Sequence, residues 1–146
     1  MIAGTDMEIL ELNVRLGDPE SQVILPLLKS DFLESAYMVA NGEIDKVKLD
    51  WHDNYATCVV LSSKGYPGDY EKGMEIHGLD SLEGQDDILI FHAGTMKQDN
   101  KLLTNGGRVL NVVGLGKTPA QSIKKAYEAV SNINFKGMYF RKDIGQ

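Results

Sequence analysis

The run Met7-Glu8-Ile9-Leu10-Glu11-Leu12-Asn13-Val14-Arg15 constrains the fold more than any other feature of the chain. Strand alternation sends Glu8, Leu10, Leu12 and Val14 to one face and Met7, Ile9, Glu11, Asn13 and Arg15 to the other, so the pattern predicts a β-strand over 7–15. At a rise of about 3.3 Å per residue, the Cα atoms of Glu11 and Asn13 stand about 6.5 Å apart with parallel side chains. A carboxylate and an amide oxygen so placed can both reach one Mg²⁺, a hard cation that takes oxygen ligands at about 2.0–2.1 Å and leaves its other positions to water or phosphate. Arg15, one step further, is placed to meet a phosphate or carboxylate with its guanidinium fork. The apolar end of the face, Met7 and Ile9, suits a nucleotide base whose phosphates lie at the charged end. An ordinary half-exposed strand with solvated polar groups reads the same way from alternation alone.

The following residues add to the case for a ligand site. Gly17 supplies conformational freedom, Asp18 is a helix-capping type and Pro19 fits a first helical turn, so a helix start is expected directly after Arg15, its free N–H groups aimed at the same face. Taken together, Glu11-x-Asn13-x-Arg15-x-Gly17-Asp18-Pro19-Glu20 resembles the closing segment of the ATP-grasp domain in the glycinamide ribonucleotide synthetase (phosphoribosylamine–glycine ligase) family. Leu16 stands where that family usually has Phe, which leaves the ligand positions intact. Further motifs follow in the family's order: Lys29-Ser30-Asp31, Gly65-Tyr66-Pro67-Gly68-Asp69-Tyr70, Ile76-His77-Gly78-Leu79, Phe91-His92-Ala93-Gly94-Thr95, Asn105-Gly106-Gly107-Arg108-Val109-Leu110 and Arg141-Lys142-Asp143-Ile144-Gly145.

The resemblance covers nearly the whole chain but only the C-terminal end of such an enzyme. It implies a fragment, with the lobe that clamps ATP lying upstream of Met1 and the fragment inactive by itself. It further implies ATP and Mg²⁺ (or Mn²⁺) as cofactors and glycine and 5-phosphoribosylamine as substrates. Glu11 and Asn13 would be the metal ligands, Ile9 a cofactor-binding residue and Arg15 the catalytic residue on the phosphoryl group or the glycine carboxylate. Carried over to the phosphoribosylamine side, the 5′-phosphate falls to Arg108 with Gly106 and Gly107, and more weakly to Arg141. The alternatives are another ATP-grasp carboxylate–amine ligase, and a non-catalytic binding or assembly module built on the C-terminal domain.

A formal net charge of −6 with no cluster of lysine or arginine argues against a nucleic-acid partner. The single cysteine, Cys58, excludes an internal disulfide and, in its apolar run, reads as a small core residue. No apolar stretch nears the ~20 residues that span a bilayer, and no signal-peptide pattern opens the chain, so the expected location is cytoplasmic.

The expected class is α+β: the end of an ATP-grasp domain over 1–47, then a mostly antiparallel α+β domain over 48–146, divided within the polar segment 43–53. In the first part, a strand stump at 1–3 turns into the strand of Glu11, leaving an edge through which the fragment can self-associate. Residues 22–28 read as a short helix shortened by Pro26. A second helix, capped by Ser30 or Asp31, buries Phe32, Leu33, Ala36, Val39 and Ala40 and ends at Asn41-Gly42. In the second part, strands are expected over 55–63, 88–96, 102–104, 109–115 and 138–140. Thr118-Pro119-Ala120-Gln121 starts a helix that buries Ile123, Ala126, Tyr127 and Val130.

Other motifs are weaker. Gly114-Leu115-Gly116-Lys117-Thr118 lacks the earlier glycine of a phosphate loop, the position being Asn111. Asn105-Gly106-Gly107-Arg108 reads both as a hairpin turn and as a phosphate nest. His52, His77 and His92 share no ligand spacing, and Gly65-Tyr66-Pro67-Gly68 is first of all a turn, with a substrate-facing loop as the second reading that nothing in the residues demands.

Overall fold

Antiparallel pairing dominates the architecture. The computed structural model describes residues 2–3, 6–7, 9 and 13–145. In chain order these form β1 (Ile2–Ala3), β2 (Asp6–Met7), α1 (Ser21–Ile24), α2 (Phe32–Ala40), β3 (Tyr55–Ser63), β4 (Ile88–His92), β5 (Thr95–Gln98), β6 (Lys101–Thr104), β7 (Arg108–Gly116), α3 (Pro119–Asn132) and β8 (Met138–Tyr139). The main sheet has the order β4-β7-β3-β8 with every neighbouring pair antiparallel, while β1–β2 and β5–β6 are separate hairpins. This is the α+β class that the sequence predicts.

β3 and β7 hold the centre because they are rich in branched apolar residues that suit a pleated, covered surface. Val59, Leu61, Leu110 and Val112 are fully buried, and Ala126, Ala129 and Val130 of α3 close over them. The Thr57 and Ser122 hydroxyls, 2.7 Å apart, identify the face α3 covers. Alternation then puts Thr57, Val59 and Leu61 toward α3 and Cys58, Val60 and Ser62 away from it. α3 starts where its residues say: the Thr118 side chain accepts the Gln121 N–H at 3.2 Å and Pro119 occupies the first turn. The Gln121 side chain accepts the Lys117 N–H at 2.9 Å, one residue earlier than a reciprocal capping box would place it.

The first third departs from expectation in three ways. β2 ends at Met7, and residues 13–17 belong to no strand, with a bend at Val14 and Arg15. Residues 8 and 10–12 lie outside the described ones, so the strand expected over 7–15 is not found in its described part beyond Met7. Alternation makes a strand only where a neighbour supplies hydrogen bonds and apolar cover, and Val14 is fully exposed. Second, the helix expected from Asp18 begins at Ser21, after a turn, with no side-chain cap bond from Glu20. It passes into a 3₁₀ turn, Leu25–Leu27, at Pro26. Third, α2 has the expected Asp31 cap and the Asn41-Gly42 end, yet Phe32, Leu33, Ala36, Val39 and Ala40 are all exposed. Its apolar pattern is real, but among the described residues nothing lies over that face.

Two strand expectations in the sheet are also corrected. The strand over 88–96 is broken into β4 and β5 at Ala93-Gly94, where a Cβ on Gly94 would fall 2.6 Å from the Gly106 Cα. Asn105-Gly106 is no hairpin turn, since β6 pairs with β5 while β7 pairs with β3 and β4. A tight hairpin turn does occur at Asp99-Asn100, both at positive φ (48° and 61°), which joins β5 to β6.

Candidate functional site

A bulge decides where Arg108 points. β3 and β7 stay in register from Tyr55↔Gly116 to Leu61↔Leu110, after which Ser62 faces Arg108 and Val109 is the extra residue. One inserted residue reverses the alternation, so Arg108 leaves the α3 side and joins Cys58, Val60 and Ser62 on the other. There it borders a pocket of about 290 Å³, floored by those three residues and walled by Pro19, Tyr66, Phe140, Arg141 and Ile144. Two of the arginines singled out in the sequence thus meet in one pocket. A larger depression of about 440 Å³ beside Lys64, Glu71 and Lys136 mixes both charges and holds none of the candidates.

Both guanidinium groups have carboxylate partners. Arg108 donates from Nη1 to the Asp18 carbonyl oxygen at 2.9 Å, and its Nη2 lies 3.2 Å from Asp18 Oδ2. Asp18 Oδ1 accepts from Gln22 Nε2 at 3.0 Å. Arg141 forks onto Asp143, with Nε to Oδ1 at 2.9 Å and Nη2 to Oδ2 at 2.6 Å, and this pairing holds the Asp143 carboxyl below its usual range. The Tyr127 hydroxyl pins the same tail, donating to the Arg141 carbonyl at 2.9 Å and accepting the Ile144 N–H at 3.0 Å.

Gly106 and Gly107 lead into Arg108 but do not themselves line the pocket. Their carbonyls accept from the Ser63 hydroxyl (3.0 Å) and the Ser63 N–H (2.8 Å), so the bend is bolted to the end of β3. The Tyr66 ring lies directly on Gly107, where a Cβ would come within 2.1 Å of Tyr66 Cδ2. Tyr66 is therefore a wall of the pocket and not merely part of a turn. Reading the sequence reached this segment as a turn, with a substrate-facing loop as the other reading, but did not single out Tyr66; the available signal was an aromatic residue between two turn glycines just after a strand.

The metal-and-phosphoryl face is only partly described. Glu11 lies outside the described residues. Ile9 is 83% exposed, and Arg15 is exposed with Nη1 donating to the Leu16 carbonyl at 2.8 Å. Asn13 is exposed as well. None of these lines the arginine pocket. A carboxylate and an exposed amide oxygen form the hard-oxygen donor set that Mg²⁺ or Mn²⁺ takes, so the residues fit such an ion by their chemistry. Among the described residues no group of three or more His, Cys, Asp or Glu could hold a metal, and no helix is long and apolar enough to cross a membrane. His92 is exposed, its Nδ1 3.0 Å from the Thr95 hydroxyl.

Cys58 is partly buried on the pocket floor rather than sealed in the core. Burial, with a smaller contribution from the Asp18 charge, pushes its thiol up from 9.0 to about 12. Because the thiolate is the nucleophile, iodoacetamide at pH 8 is expected to modify Cys58 at least about ten times more slowly in the native chain than in urea; equal rates would refute this. The native chain keeps this proton where an unfolded chain releases it. The group's contribution to stability is therefore whole below about pH 9 and falls as the pH climbs above it.

Comparison with known proteins places this geometry. Residues 56–146 match the family model described as phosphoribosylglycinamide synthetase, C domain. The chain is 45% identical over 144 residues to the phosphoribosylamine–glycine ligase of Caldanaerobacter subterraneus, covering 99% of this chain and 34% of that one. It is 46% identical over 146 residues to the Fusobacterium nucleatum ligase of the same name, again covering 34% of it. The crystal structure of phosphoribosylamine–glycine ligase from Thermotoga maritima superposes with a TM-score of 0.79 at 41% identity, over 93% of this chain and 33% of that one. The chain thus spans about a third of the length of the relatives it matches.

Proposed function

Because the chain belongs to the phosphoribosylglycinamide synthetase family, through the C domain that its residues 56–146 match, we propose that it is the closing part of an ATP-dependent carboxylate–amine ligase. That ligase joins glycine to 5-phosphoribosylamine, giving glycinamide ribonucleotide, ADP and phosphate on the route to purines. The observation that carries this reading is the match over 99% of the chain to enzymes named phosphoribosylamine–glycine ligase.

In the proposed chemistry a glycine carboxylate oxygen attacks the γ-phosphorus of ATP, the bond to the β-γ bridging oxygen breaks, and ADP leaves. The amine of phosphoribosylamine then attacks the carbonyl carbon of the glycyl phosphate, loses a proton, and expels phosphate. Such transfers demand positioning and charge neutralisation more than covalent help from the protein. Glu11 and Asn13 would hold Mg²⁺ or Mn²⁺, which when bound neutralises phosphate charge. Ile9 packs near the nucleotide, and Arg15 orients the transferring phosphoryl group or the glycine carboxylate. Arg108, with Gly106 and Gly107 behind it, binds the 5′-phosphate of phosphoribosylamine, and Arg141 adds a second positive charge to the same pocket. The two guanidinium groups bordering one pocket support that assignment.

The test is glycine-dependent ADP release. The purified chain is expected to give none, and activity is expected when the other two-thirds of a relative's chain is supplied. Turnover by this chain alone at the rate of a complete ligase would overturn the reading. Ribose 5-phosphate binding with no turnover, even beside the missing part, would favour a binding module.

A further inference from the structure

We propose that Asp18 is a latch: its carboxylate holds the Arg108 guanidinium and yields it to an incoming phosphate, so that filling the pocket loosens, by one of its two bonds, the tether on the segment that carries Asn13 and Arg15. The inference rests on the reading of Arg108 as a phosphate-binding residue and adds a coupling to it.

Asp18 spends both its main-chain carbonyl and its carboxylate on one guanidinium. The two bonds differ in kind. A carbonyl oxygen is a neutral acceptor that can stay in place beside a bound anion, whereas the carboxylate occupies the charge a phosphate would seek. Both side chains are more than a third exposed, at 37% and 39%, so water and salt weaken their attraction. A phosphate dianion brings more charge and three acceptor oxygens to the same fork. It is therefore the stronger partner. The displaced carboxylate is not stranded, because Gln22 of the α1 helix already donates to its other oxygen.

The position of Asp18 turns displacement into a signal. It stands three residues beyond Arg15 and five beyond Asn13, with Gly17 between. Residues 13–17 lie in no helix or strand, and the Asp18–Arg108 pair ties them to β7, while Pro19 next door lines the pocket itself. A ligand that takes over Arg108 therefore loosens a tether of the segment proposed to bind metal and phosphoryl groups. In that arrangement one substrate's phosphate governs the freedom of the residues that handle the other's.

The test is an NMR titration of the whole ¹⁵N-labelled chain with ribose 5-phosphate, against ribose and against KCl at matched ionic strength. The wild-type chain is expected to show saturable shifts at Gly106, Gly107 and Arg108 that respond to ribose 5-phosphate alone, accompanied by shifts at residues 13–17. Asp18→Asn keeps the shape and the carbonyl but removes the competing charge. It is expected to bind about three- to ten-fold more tightly, a size fitting an exposed ion pair, and Asp18→Ser to do the same. Arg108→Met is expected to lose binding. If Asp18→Asn binds no more tightly than wild type while Arg108→Met still loses binding, the latch is wrong and the phosphate assignment stands. If neither wild type nor Asp18→Asn binds, the phosphate assignment fails and takes the latch with it.

Discussion

Gly114→Ala is expected to destabilise the chain by about 3 kcal/mol, with a fall in Tm of roughly 10 °C for a domain of this size. Gly114 lies on the α3 face of β7, opposite Thr57. A Cβ there would stand 2.4 Å from the Ala126 nitrogen and 2.5 Å from the Ser122 carbonyl oxygen. Both are backbone atoms of α3, so no side-chain rotation relieves the contact and the helix must lift from the sheet. Lifting it opens the packing of Ala126, Ala129 and Val130, none of them more than 2% exposed. Gly84→Ala is the matched control: a Cβ meets nothing within 4 Å there, and the cost is that of a left-handed φ of +78° alone, about 1 kcal/mol. Urea unfolding of both variants measures the difference. A smaller loss for Gly114→Ala than for Gly84→Ala would show that α3 does not seat on β7 this closely.

The same glycines show what could be read from the sequence and what could not. Gly114-Leu115-Gly116-Lys117-Thr118 fails as a phosphate loop on spacing alone, and the Thr118 cap was legible because a cap is settled within four residues. The purpose of the glycines was not legible. Gly116, like Gly114, is needed for close approach to α3, which depends on where a helix packs after the strand has already formed. β3 and α3 could be found in the same local way. The break at Gly94 could not, because its cause is Gly106, twelve residues on and in another strand connection.

The candidate site divides along the same line. Arg108 beside two glycines is visible as a charge on a bend, and that suffices to nominate it. Its direction depends on the bulge at Val109, its wall on Tyr66 lying over Gly107, and its partner on Asp18, ninety positions away. None of these leaves a periodic trace. Alternation over the described residues 13–15 and the apolar stripe of α2 show the opposite failure. The patterns were read correctly as patterns, but a pattern specifies an element only together with the surface that covers it, and the described residues supply no such surface.

In a complete ligase containing this segment, Asn13→Leu is expected to lower kcat/KM for ATP by about a hundred-fold or more, with Glu11→Gln having a comparable effect. Changes one shell further from a metal already cost about 10- to 100-fold, and these would act on the ligands themselves. The two substitutions fail for different reasons. Leucine deletes an oxygen donor while keeping the branching at Cγ. Glutamine keeps the shape and an oxygen but removes the formal charge that a hard divalent cation favours. Both should therefore raise the Mg²⁺ concentration needed for half-maximal rate, and the Glu11 variant should respond more steeply to added Mg²⁺ because its geometry survives. A substitution that merely disturbed folding would depress activity at every Mg²⁺ concentration alike and leave the half-maximal point unmoved. Steady-state rates across a Mg²⁺ series decide between these outcomes. Wild-type activity with unchanged Mg²⁺ dependence in either variant would remove that residue from the metal site, and in both would leave Arg15 as the remaining candidate on the segment.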